Sequence, residues 1–515
     1  MGRTRSGAGN DNDVHNTDNR RVYCTFAGLV LVWCGKKWRN DVKVTKKALV
    51  RHMAVVLLAG WFLVGAGLAW GGEDGVPKSP DLSAVRVLDL ETAQRIALAS
   101  NPTMGVAMAR VEQARARVRQ AASTWWPSVD LTASGGRTRM SETVWQQTQA
   151  LAKLYGQNMD RTNEEYAAGL QATWILFDGF YRSFSQDQAE YGEKSAAAGQ
   201  TDARRLLAAA VAEAFLNAQL AQTNQKIAEA DRDFYTQQLG DAQNRFDVGA
   251  GPWGDVLNIK VQLNSAKTRT LLAAREFEAA GYGLAALLGI PDAEFPEGVK
   301  LEELGSRLDV DEKTDPAKQL IAEALEQRPD IRQLALSVQQ AEAGIGMAEA
   351  RFYPSLQVAG AYNGSRQGDM GLSSDDFGNS IFLNLSWNLF SGGADRAASF
   401  EAKQARREAR YALLNLRNQV AAEVRQGITL LEAAREQVLL QRDSVGLVEE
   451  NRELARNAYE AGEASLVRLN EAQRDLTATY GRLAQAQVAF SRARQRLLAA
   501  TGRNIVPFEE PAARP

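Results

Sequence analysis

The sequence predicts an internally duplicated α+β membrane protein. Its expected fold is a long antiparallel α-helical coiled-coil barrel, continuous with a transmembrane β-barrel that is shared between subunits and takes four strands from each chain. Three observations predict this class. A W-x-L-F-x-G core occurs twice, within Trp174–Gly179 and Trp387–Gly393. Each core lies in or at the end of a segment of about ten residues in which apolar and polar residues alternate. About 65 residues without proline follow each core.

The first 69 residues are typical of an N-terminal extension followed by a secretory signal peptide. A basic run at 46–52 precedes the apolar stretch 53–68, and small residues at 67–69 form a cleavage site. The apolar stretch of about 16 residues is short for a membrane-spanning helix; an uncleaved anchor is the alternative. Because nothing structural is expected before a signal peptide, residues 1–43 suggest a start codon assigned too early, with Val44 as the true initiation point.

Removal of this segment excludes several kinds of chemistry. Both cysteines (Cys24 and Cys34) and both histidines (His15 and His52) lie in it. The remaining chain can therefore supply no cysteine nucleophile, no histidine base and no Cys/His zinc site. It holds 49 Lys and Arg against 58 Asp and Glu, a net charge of −9, which disfavours nucleic-acid binding. We expect no enzyme activity, no cofactor, no metal site and no lipid-anchor cysteine.

The rest of the chain is one large duplication. Three spacings between proline, tryptophan and glycine landmarks are the same in both halves, at 25, 75 and 40 residues: Pro102–Pro127 and Pro329–Pro354, Trp174–Gly249 and Trp387–Gly462, Gly249–Gly289 and Gly462–Gly502. Such matched spacings indicate a duplicated domain. The predicted organisation is a first repeat at 85–289, a connection at 290–327, a second repeat at 328–502 and a tail at 503–515.

Each half predicts the same elements in the same order. A helix of about 25 residues ends before proline, and a strand follows it, at Ser128–Gly135 or Ser355–Tyr362. A polar loop and a second strand lead into a helix of about 65 residues, which would be about 100 Å long at 1.5 Å per residue. These long helices are predicted at Arg182–Phe246 and Ala394–Tyr459. A glycine turn, at 248–254 or 461–465, then reverses the chain into a helix of about 35 residues.

The final helix of each half has the seven-residue repeat of a coiled coil. Its apolar positions in the second half are Leu469, Leu476, Leu483, Phe490 and Leu497. The first half keeps the repeat with one polar substitution, at Val256, Leu263, Thr270, Phe277 and Leu284. Seven-residue spacing is the contact seam between paired helices. Each leucine alone would also fit an ordinary helical core, but helices near 100 Å fit a coiled-coil stalk or tube.

The pattern of the predicted strands favours a location in a membrane. Apolar and polar residues alternate along Asn379–Leu389, with Phe382 as the exception, and the same alternation occurs along 166–176. Each segment has the length of a membrane-spanning strand. An aromatic belt is predicted where aromatic residues cluster at the strand ends: Trp125, Trp126, Trp174, Tyr353 and Trp387. Four strands can neither close a barrel nor leave open edges in lipid. Several chains must therefore share one barrel, each repeat supplying one hairpin.

The order and spacing of these features resemble the TolC-like outer-membrane efflux proteins, over about residues 85–505. The likeness rests on the duplication, the Asn101-Pro102 and Arg328-Pro329 helix starts, the Tyr353-Pro354-Ser355 strand entry and the segment 459–473. It implies a homotrimer with a 12-stranded barrel in the outer-membrane lipid and a helical tunnel through the periplasm. The implied function is the passive exit duct of a tripartite efflux pump or a type I secretion system. The implied partners are a periplasmic membrane-fusion adaptor and an inner-membrane RND or ABC transporter.

The resemblance also implies two kinds of site at the tips of the tunnel. The adaptor would meet the glycine turns, at Gly249, Gly251, Gly462, Glu463 and Ser465. The family closes the tunnel with carboxylates in a pattern such as V-D-V-L-D-A, where this chain has V-R-L-N-E-A. Glu471 matches the second carboxylate and Arg468 replaces the first, while Asp255 near the other turn is a further candidate. Three Glu471 in one ring would favour cations, unless these are only solvated surface charges.

Two other classes of protein share some of these features. A periplasmic coiled-coil adaptor or structural protein would share the helical hairpins and the export signal, but not the two alternating β-hairpins. An exported enzyme could use Asp375-Asp376 or Glu164-Glu165, but both pairs are expected in polar loops, where no pocket would shift their pKa values. The sequence does not identify the substrate, because tunnels for drugs, metals or polypeptides can have the same wall.

Overall fold

A computed structural model of the chain describes residues 86–295, 298–305, 310 and 314–508. The predicted extension and signal peptide, parts of the connection 290–327 and the end of the tail lie outside these residues. The elements run in chain order: β1 Val87–Leu88, α1 Leu90–Ser100, α2 Pro102–Ser123, β2 Ser128–Arg139, α3 Glu142–Leu154, β3 Thr162–Phe177, α4 Tyr181–Asp247, α5 Trp253–Leu287, β4 Lys300–Leu301, α6 Ala317–Gln327, α7 Pro329–Glu349, β5 Ser355–Gln367, β6 Phe377–Ser386, α8 Ala394–Glu460 and α9 Leu466–Thr501.

The two repeats begin their helices in related ways. Asn101 caps α2, because its side chain accepts a hydrogen bond from the amide of Thr103 at 2.8 Å, and Pro102 follows at a position where no amide is needed. The side-chain amide of Asn101 also donates a hydrogen bond to the carbonyl of Leu287, at the end of α5, at 2.7 Å. Arg328 occupies the equivalent place before α7 without a side-chain cap. The start of each repeat is thereby held against a helix that returns from the far end.

Helices α4 and α8 have 67 residues each, which corresponds to about 100 Å. No proline interrupts them, so nothing removes a backbone donor along their length. Helix α4 packs along α5 and α8 along α9, while α2 and α7 flank the upper part of α4. Seven of the ten predicted heptad residues are buried, namely Val256, Leu263, Leu284, Leu469, Leu476, Phe490 and Leu497, and the other three, Thr270, Phe277 and Leu483, are half-buried. The predicted seams are therefore the seams of packing within each hairpin.

The four long strands form one antiparallel sheet in the order β2-β3-β5-β6. Each repeat contributes one hairpin, and the two hairpins pair through β3 and β5. Leu170 in β3 stands opposite Leu131 in β2 on one side and Tyr362 in β5 on the other. The short strands β1 and β4 pair in parallel elsewhere, beside the end of α1 and α5.

Ion pairs of two buried arginines hold the two repeats together midway along the helices. Arg328 is 3% exposed, and its guanidinium binds the carboxylates of Asp330 and Glu423, each at 2.6 Å. Arg205 of the first repeat, also buried, lies 3.7 Å from the same Asp330 and donates to the carbonyl of Ala499. Charges taken out of water need such partners. The cluster therefore fixes α4, α7, α8 and α9 relative to one another.

The structure corrects three sequence-based expectations about the sheet. The loop of the first hairpin contains α3, where the sequence analysis expected only a polar loop. Ser141 caps this helix, and the Trp145 indole donates to the carbonyl of Met159 at 2.9 Å. Glu164 and Glu165 lie inside β3, not in a loop, because the first hairpin extends to Arg139. Strand β6 ends at Ser386, so the second W-x-L-F-x-G core follows the strand.

Candidate channel wall and hairpin tips

The register sorts the strand residues onto two chemically different faces, because partners across a ladder point the same way. One face, called here the apolar face, is formed by Val129, Leu131, Ala133, Ala168, Leu170, Ala172, Trp174, Val358, Tyr362, Ile381, Leu383 and Leu385. Ile381 is 80% exposed and Leu131 75% exposed in the single chain. A soluble protein rarely exposes so many contiguous apolar side chains, and lipid is the environment that suits them.

The opposite face, called here the polar face, carries Ser, Thr, Asn and Gln with small residues between them. Ser128, Thr132, Gln171, Thr173, Gln357, Asn363, Ser380 and Asn384 belong to it. Phe382, the exception that the sequence pattern indicated, and Ile175 are large apolar residues on this face. A sheet with one lipid-like and one water-like face is the arrangement of a barrel wall around an aqueous lumen.

The five predicted belt residues gather at one end of the sheet, next to the helices. The indole of Trp174 donates to the carbonyl of Trp125 at 3.0 Å, and that of Trp387 donates to the carbonyl of Phe352 at 3.1 Å. In both repeats, a hydrogen bond from a tryptophan indole thus joins the end of the second strand to the segment that follows the preceding helix. Trp126 and Tyr353 are 78% and 55% exposed. Phe390, which was not among the predicted belt residues, is 85% exposed at the same end, and its place in the repeated core could have indicated it.

A second aromatic group lies at the other end of the apolar face. Tyr362 and Phe377 stack with their ring centroids 5.2 Å apart, and Tyr166 lies against Gly135 of β2. From Trp174 to Tyr166 the strand covers about 27 Å, or about 20 Å along the membrane normal at a 40° tilt. This spacing is close to the apolar band of about 25 Å between the aromatic girdles of outer-membrane barrels.

The outer edges of β2 and β6 have no partner strand within the described residues. Strand β2 runs away from the helices and β6 runs towards them. The two free edges therefore have opposite directions, which is what an antiparallel pairing between two copies would require. Unpaired backbone donors and acceptors cost several kcal/mol each in lipid, so these edges cannot stay open there.

The two tip turns have the same backbone geometry. Gly249 and Gly462 adopt φ angles of 72° and 78°, in the left-handed region that glycine favours. After α4, the amide of Ala250 donates to the carbonyl of Arg245 and that of Gly249 to the carbonyl of Phe246. The equivalent pair of hydrogen bonds follows α8. This is the Schellman motif, and it explains why a glycine stands at the same place in each repeat.

The predicted constriction residues lie just beyond these turns. Arg468 and Glu471 are exposed on one side of α9, and neither makes an ion pair with another described residue. Asp255 is half-buried in the first turn of α5. Burial and the charge of Asp255 raise the pKa of Tyr459, at the end of α8. The structure thus brings Asp255 to the second tip, whereas Arg468 and Glu471 point away from the helix contacts.

The two tips also pack against each other within one chain. Leu466 of α9 belongs to a buried cluster with Tyr235, Val256 and Ile259 of the first hairpin. The guanidinium of Arg245 lies 5.0 Å from the ring centre of Tyr459, a distance at which a cation and a ring attract. The predicted adaptor-contact residues Gly249, Gly251, Gly462, Glu463 and Ser465 sit at the ends of these two joined hairpins.

A buried polar network that the sequence did not predict lies above the tips. Asp231 of α4 is 2% exposed. Its carboxylate accepts hydrogen bonds from Arg269 of α5 at 2.5 Å and from Gln473 and Thr477 of α9 at 3.2 and 3.0 Å. Burial and the nearby charge of Asp231 raise the pKa of Tyr235 to about 12. No sequence pattern marks these residues, because three separate helices supply them.

Two exposed apolar stripes run up the helices from the tips, each opposite to the packed side of its helix. On α8 the stripe consists of Leu440, Leu447 and Leu454, which are 65%, 69% and 61% exposed. On α5 it consists of Leu257, Val261 and Leu271, which are 49%, 62% and 58% exposed. Leucines spaced by seven residues on a solvated helix indicate a coiled-coil contact that another helix must complete.

None of the helices in the part of the chain that the structure describes combines the length and apolar character needed to cross a membrane. Among the same residues, no group of three or more His, Cys, Asp or Glu side chains could hold a metal ion.

The chain matches the family model described as outer membrane efflux protein, over residues 94–290 and 320–503. It is 26% identical over 398 residues to the probable efflux pump outer membrane protein TtgC of Pseudomonas putida, which covers 75% of this chain and 77% of that protein. It is 28% identical over 378 residues to the alkaline protease secretion protein AprF of Pseudomonas aeruginosa, with coverages of 69% and 76%.

Solved structures show the same fold. The outer membrane channel CmeC of Campylobacter jejuni is similar with a TM-score of 0.69 at 19% identity, over 85% of this chain and 90% of that chain. CusC is similar with a TM-score of 0.68 at 20% identity, over 83% and 97% of the two chains. Since the family model matches well over half of the sequence, the chain belongs to the outer membrane efflux protein family.

Proposed function

We propose that this protein is the outer-membrane channel of a tripartite efflux pump or a type I secretion system. The observation that carries the proposal is the two-faced sheet with open edges, set at one end of helices about 100 Å long. The sheet would cross the outer membrane and the helices would extend into the periplasm. The relatives named above include an efflux-pump component and a protease-secretion component, which supports both alternatives. We propose that the channel is a passive conduit.

Closure of the barrel supports a homotrimer. Strand β6 of one copy would pair with β2 of the next, so the number of strands is a multiple of four. Eight strands leave an interior that side chains fill, whereas larger barrels hold an aqueous channel. Twelve strands from three chains are the smallest multiple of four above eight. The resemblance to the TolC-like proteins implies the same number.

The exposed stripes on the helices support the same assembly. Leu454 lies about six residues before the end of α8, and Val261 about eight residues after the start of α5. The stripes therefore have matching heights above the tips, and each copy offers both. An interface between two different surfaces of identical chains closes into a ring when the rotation allows it. We propose that the α8 stripe of one copy packs on the α5 stripe of the next.

The tips would serve the partners of the channel. Their glycine turns, with Glu463 and Ser465, are the proposed contacts of a periplasmic adaptor, which would link the channel to an inner-membrane RND or ABC transporter. Glu471, Arg468 and Asp255 are the proposed constriction. Glu471 and Arg468 are exposed and make no ion pair with a described residue, which leaves them available to face a lumen, whereas Asp255 is half-buried. The aromatic residues at the strand ends would sit at the membrane surface.

Two measurements test this proposal. Purified protein added to a planar lipid bilayer should produce discrete conductance steps, and a protein that never conducts would contradict the channel function. For the assembly, Leu447→Cys combined with Thr268→Cys should cross-link copies into a ladder that ends at three chains. The control pair Leu430→Cys and Thr268→Cys should not cross-link, because Leu430 lies about 26 Å higher on α8 than Leu447.

A further inference from the structure

We infer that the β-sheet itself carries a charge filter, in which Asp130, with Glu165, makes the exit of the channel select for cations. The inference rests on the proposed function, because it needs a closed barrel around a lumen. It differs from the tip constriction in place and in residues. At the last step of export, this filter would let cationic solutes pass more readily than anionic ones.

The first support is the charge content of the polar face. Over the four strands this face includes Asp130 and Glu165 but no Lys or Arg among the described residues. Asp130 aligns across the sheet with Gln171, Ala361 and Ser380, so no cation stands in its row. Both carboxylates are exposed and neither is paired with a basic side chain that the structure describes. Their negative charge therefore stays uncompensated where a solute would pass.

The second support is where the cations of the strands are placed. Arg137, Arg139 and Arg366 all lie on the same face as the apolar residues; Arg366 is level with Tyr166, and the other two lie beyond it. There Arg137 lies 3.5 Å from Glu164, and Arg366 pairs with Asp369 at 2.8 Å. At this height they would meet the headgroup region outside the barrel. The sheet thus separates its charges, with arginines on the outer side and unpaired carboxylates on the inner side.

The size of a 12-stranded barrel makes these charges effective. Strands about 4.8 Å apart and tilted by about 40° give a backbone radius of about 12 Å, which leaves side-chain oxygens about 8 Å from the axis. The Debye length is about 10 Å at 0.1 M salt but about 3 Å at 1 M. A ring of three Asp130 would thus act across the whole lumen at 0.1 M and only near the wall at 1 M.

The expected effect follows from Coulomb's law with this screening. Three unit charges about 8 Å from the axis raise the cation concentration there about threefold at 0.1 M, and lower that of anions by the same factor. The ratio of cation to anion permeability should therefore change by up to about tenfold when the ring is neutralised, and by less than about twofold at 1 M. Glu165 forms a second ring about 20 Å further along the strands.

The test uses the mature trimer in planar bilayers, with reversal potentials measured in KCl gradients around 0.1 M and around 1 M. Asp130→Asn should lower the cation-to-anion permeability ratio at least about threefold at low salt, and adding Glu165→Gln should lower it further. Glu164→Gln is the matched control, because it removes the adjacent carboxylate from the opposite face. A ratio unchanged by the double variant, or changed equally by the control, would overturn the inference.

A cysteine variant allows a second measurement, in which the charge attached at position 130 can be made negative or positive. Both native cysteines lie in residues 1–69, so Asp130→Cys would place a single thiol in the mature chain. A negatively charged thiosulfonate reagent should restore the wild-type ratio, and a positively charged reagent of similar size should invert it. Equal effects of the two reagents would overturn the filter. Absence of any conductance in the wild-type protein would instead contradict the proposed function, so the two failures are distinguishable.

Discussion

The buried carboxylate of Asp231 offers the sharpest test of how the two hairpins of one chain are held together. It accepts hydrogen bonds from α5 and α9 while it belongs to α4, so its replacement should loosen the contact between hairpins. Asp231→Asn keeps one acceptor and the shape but loses the charge. A hydrogen bond to a charged group contributes about 1.5–3 kcal/mol, and Arg269 is half exposed, which lowers its share. We expect local opening to become easier by about 2 kcal/mol.

The assay is hydrogen–deuterium exchange of the detergent-solubilised protein. Two kcal/mol corresponds to about a 30-fold loss of protection, expected for amides around 225–240 of α4 and 466–480 of α9. Asp233→Asn is the control, because Asp233 is exposed and paired only with the neighbouring Arg232 among the described residues. Protection that changes by less than about threefold in Asp231→Asn, or equally in the control, would refute the role given to the network.

Three further predictions concern the tips and the middle of the helices. Gly462→Ala should ease opening of the second tip by about 1–2 kcal/mol in the same exchange measurement, because its φ is positive, whereas Gly446→Ala inside α8 should not. Burial opposes ionisation of Asp330, but hydrogen bonds from Arg328 outweigh it and hold the pKa of Asp330 below its usual value. The stability that this carboxylate contributes should be present above about pH 4 and be lost as the pH falls through the lowered pKa. Melting temperatures measured from pH 7 to pH 2 check this expectation, and in Asp330→Asn the melting temperature should fall less steeply at acid pH. Glu471→Gln should change single-channel conductance or cation selectivity, and identical traces would contradict its place in the constriction.

The long helices and their turns could be predicted from the sequence because local rules decide them. Absence of proline allows α4 and α8 to run unbroken, and the sequence-based bounds differ from the observed ends by no more than one residue. The glycines at 249 and 462 are required by the left-handed turn, so they mark the tips directly. The strand alternation likewise assigned residues to faces, since a period of two leaves little choice once one face is apolar.

Contacts between distant parts of the chain could not be predicted in the same way. Asp231, Arg269 and Gln473 are separated by the length of whole helices, and only the packing of three helices brings them together. Helix α3 was missed because its sequence is polar and short, although Ser141 followed by Glu142 is a helix-start signal. Arg468 and Glu471 remain predictions as constriction residues, because their role depends on neighbouring copies.

The shared barrel is the central claim, and the mass of the complex tests it most directly. Mature protein extracted from outer-membrane fractions in mild detergent should have the mass of three chains. A monomer or dimer found in the soluble periplasm would contradict the account. In that case the alternating strands would belong to an ordinary sheet, and the protein would be a periplasmic component of an export system.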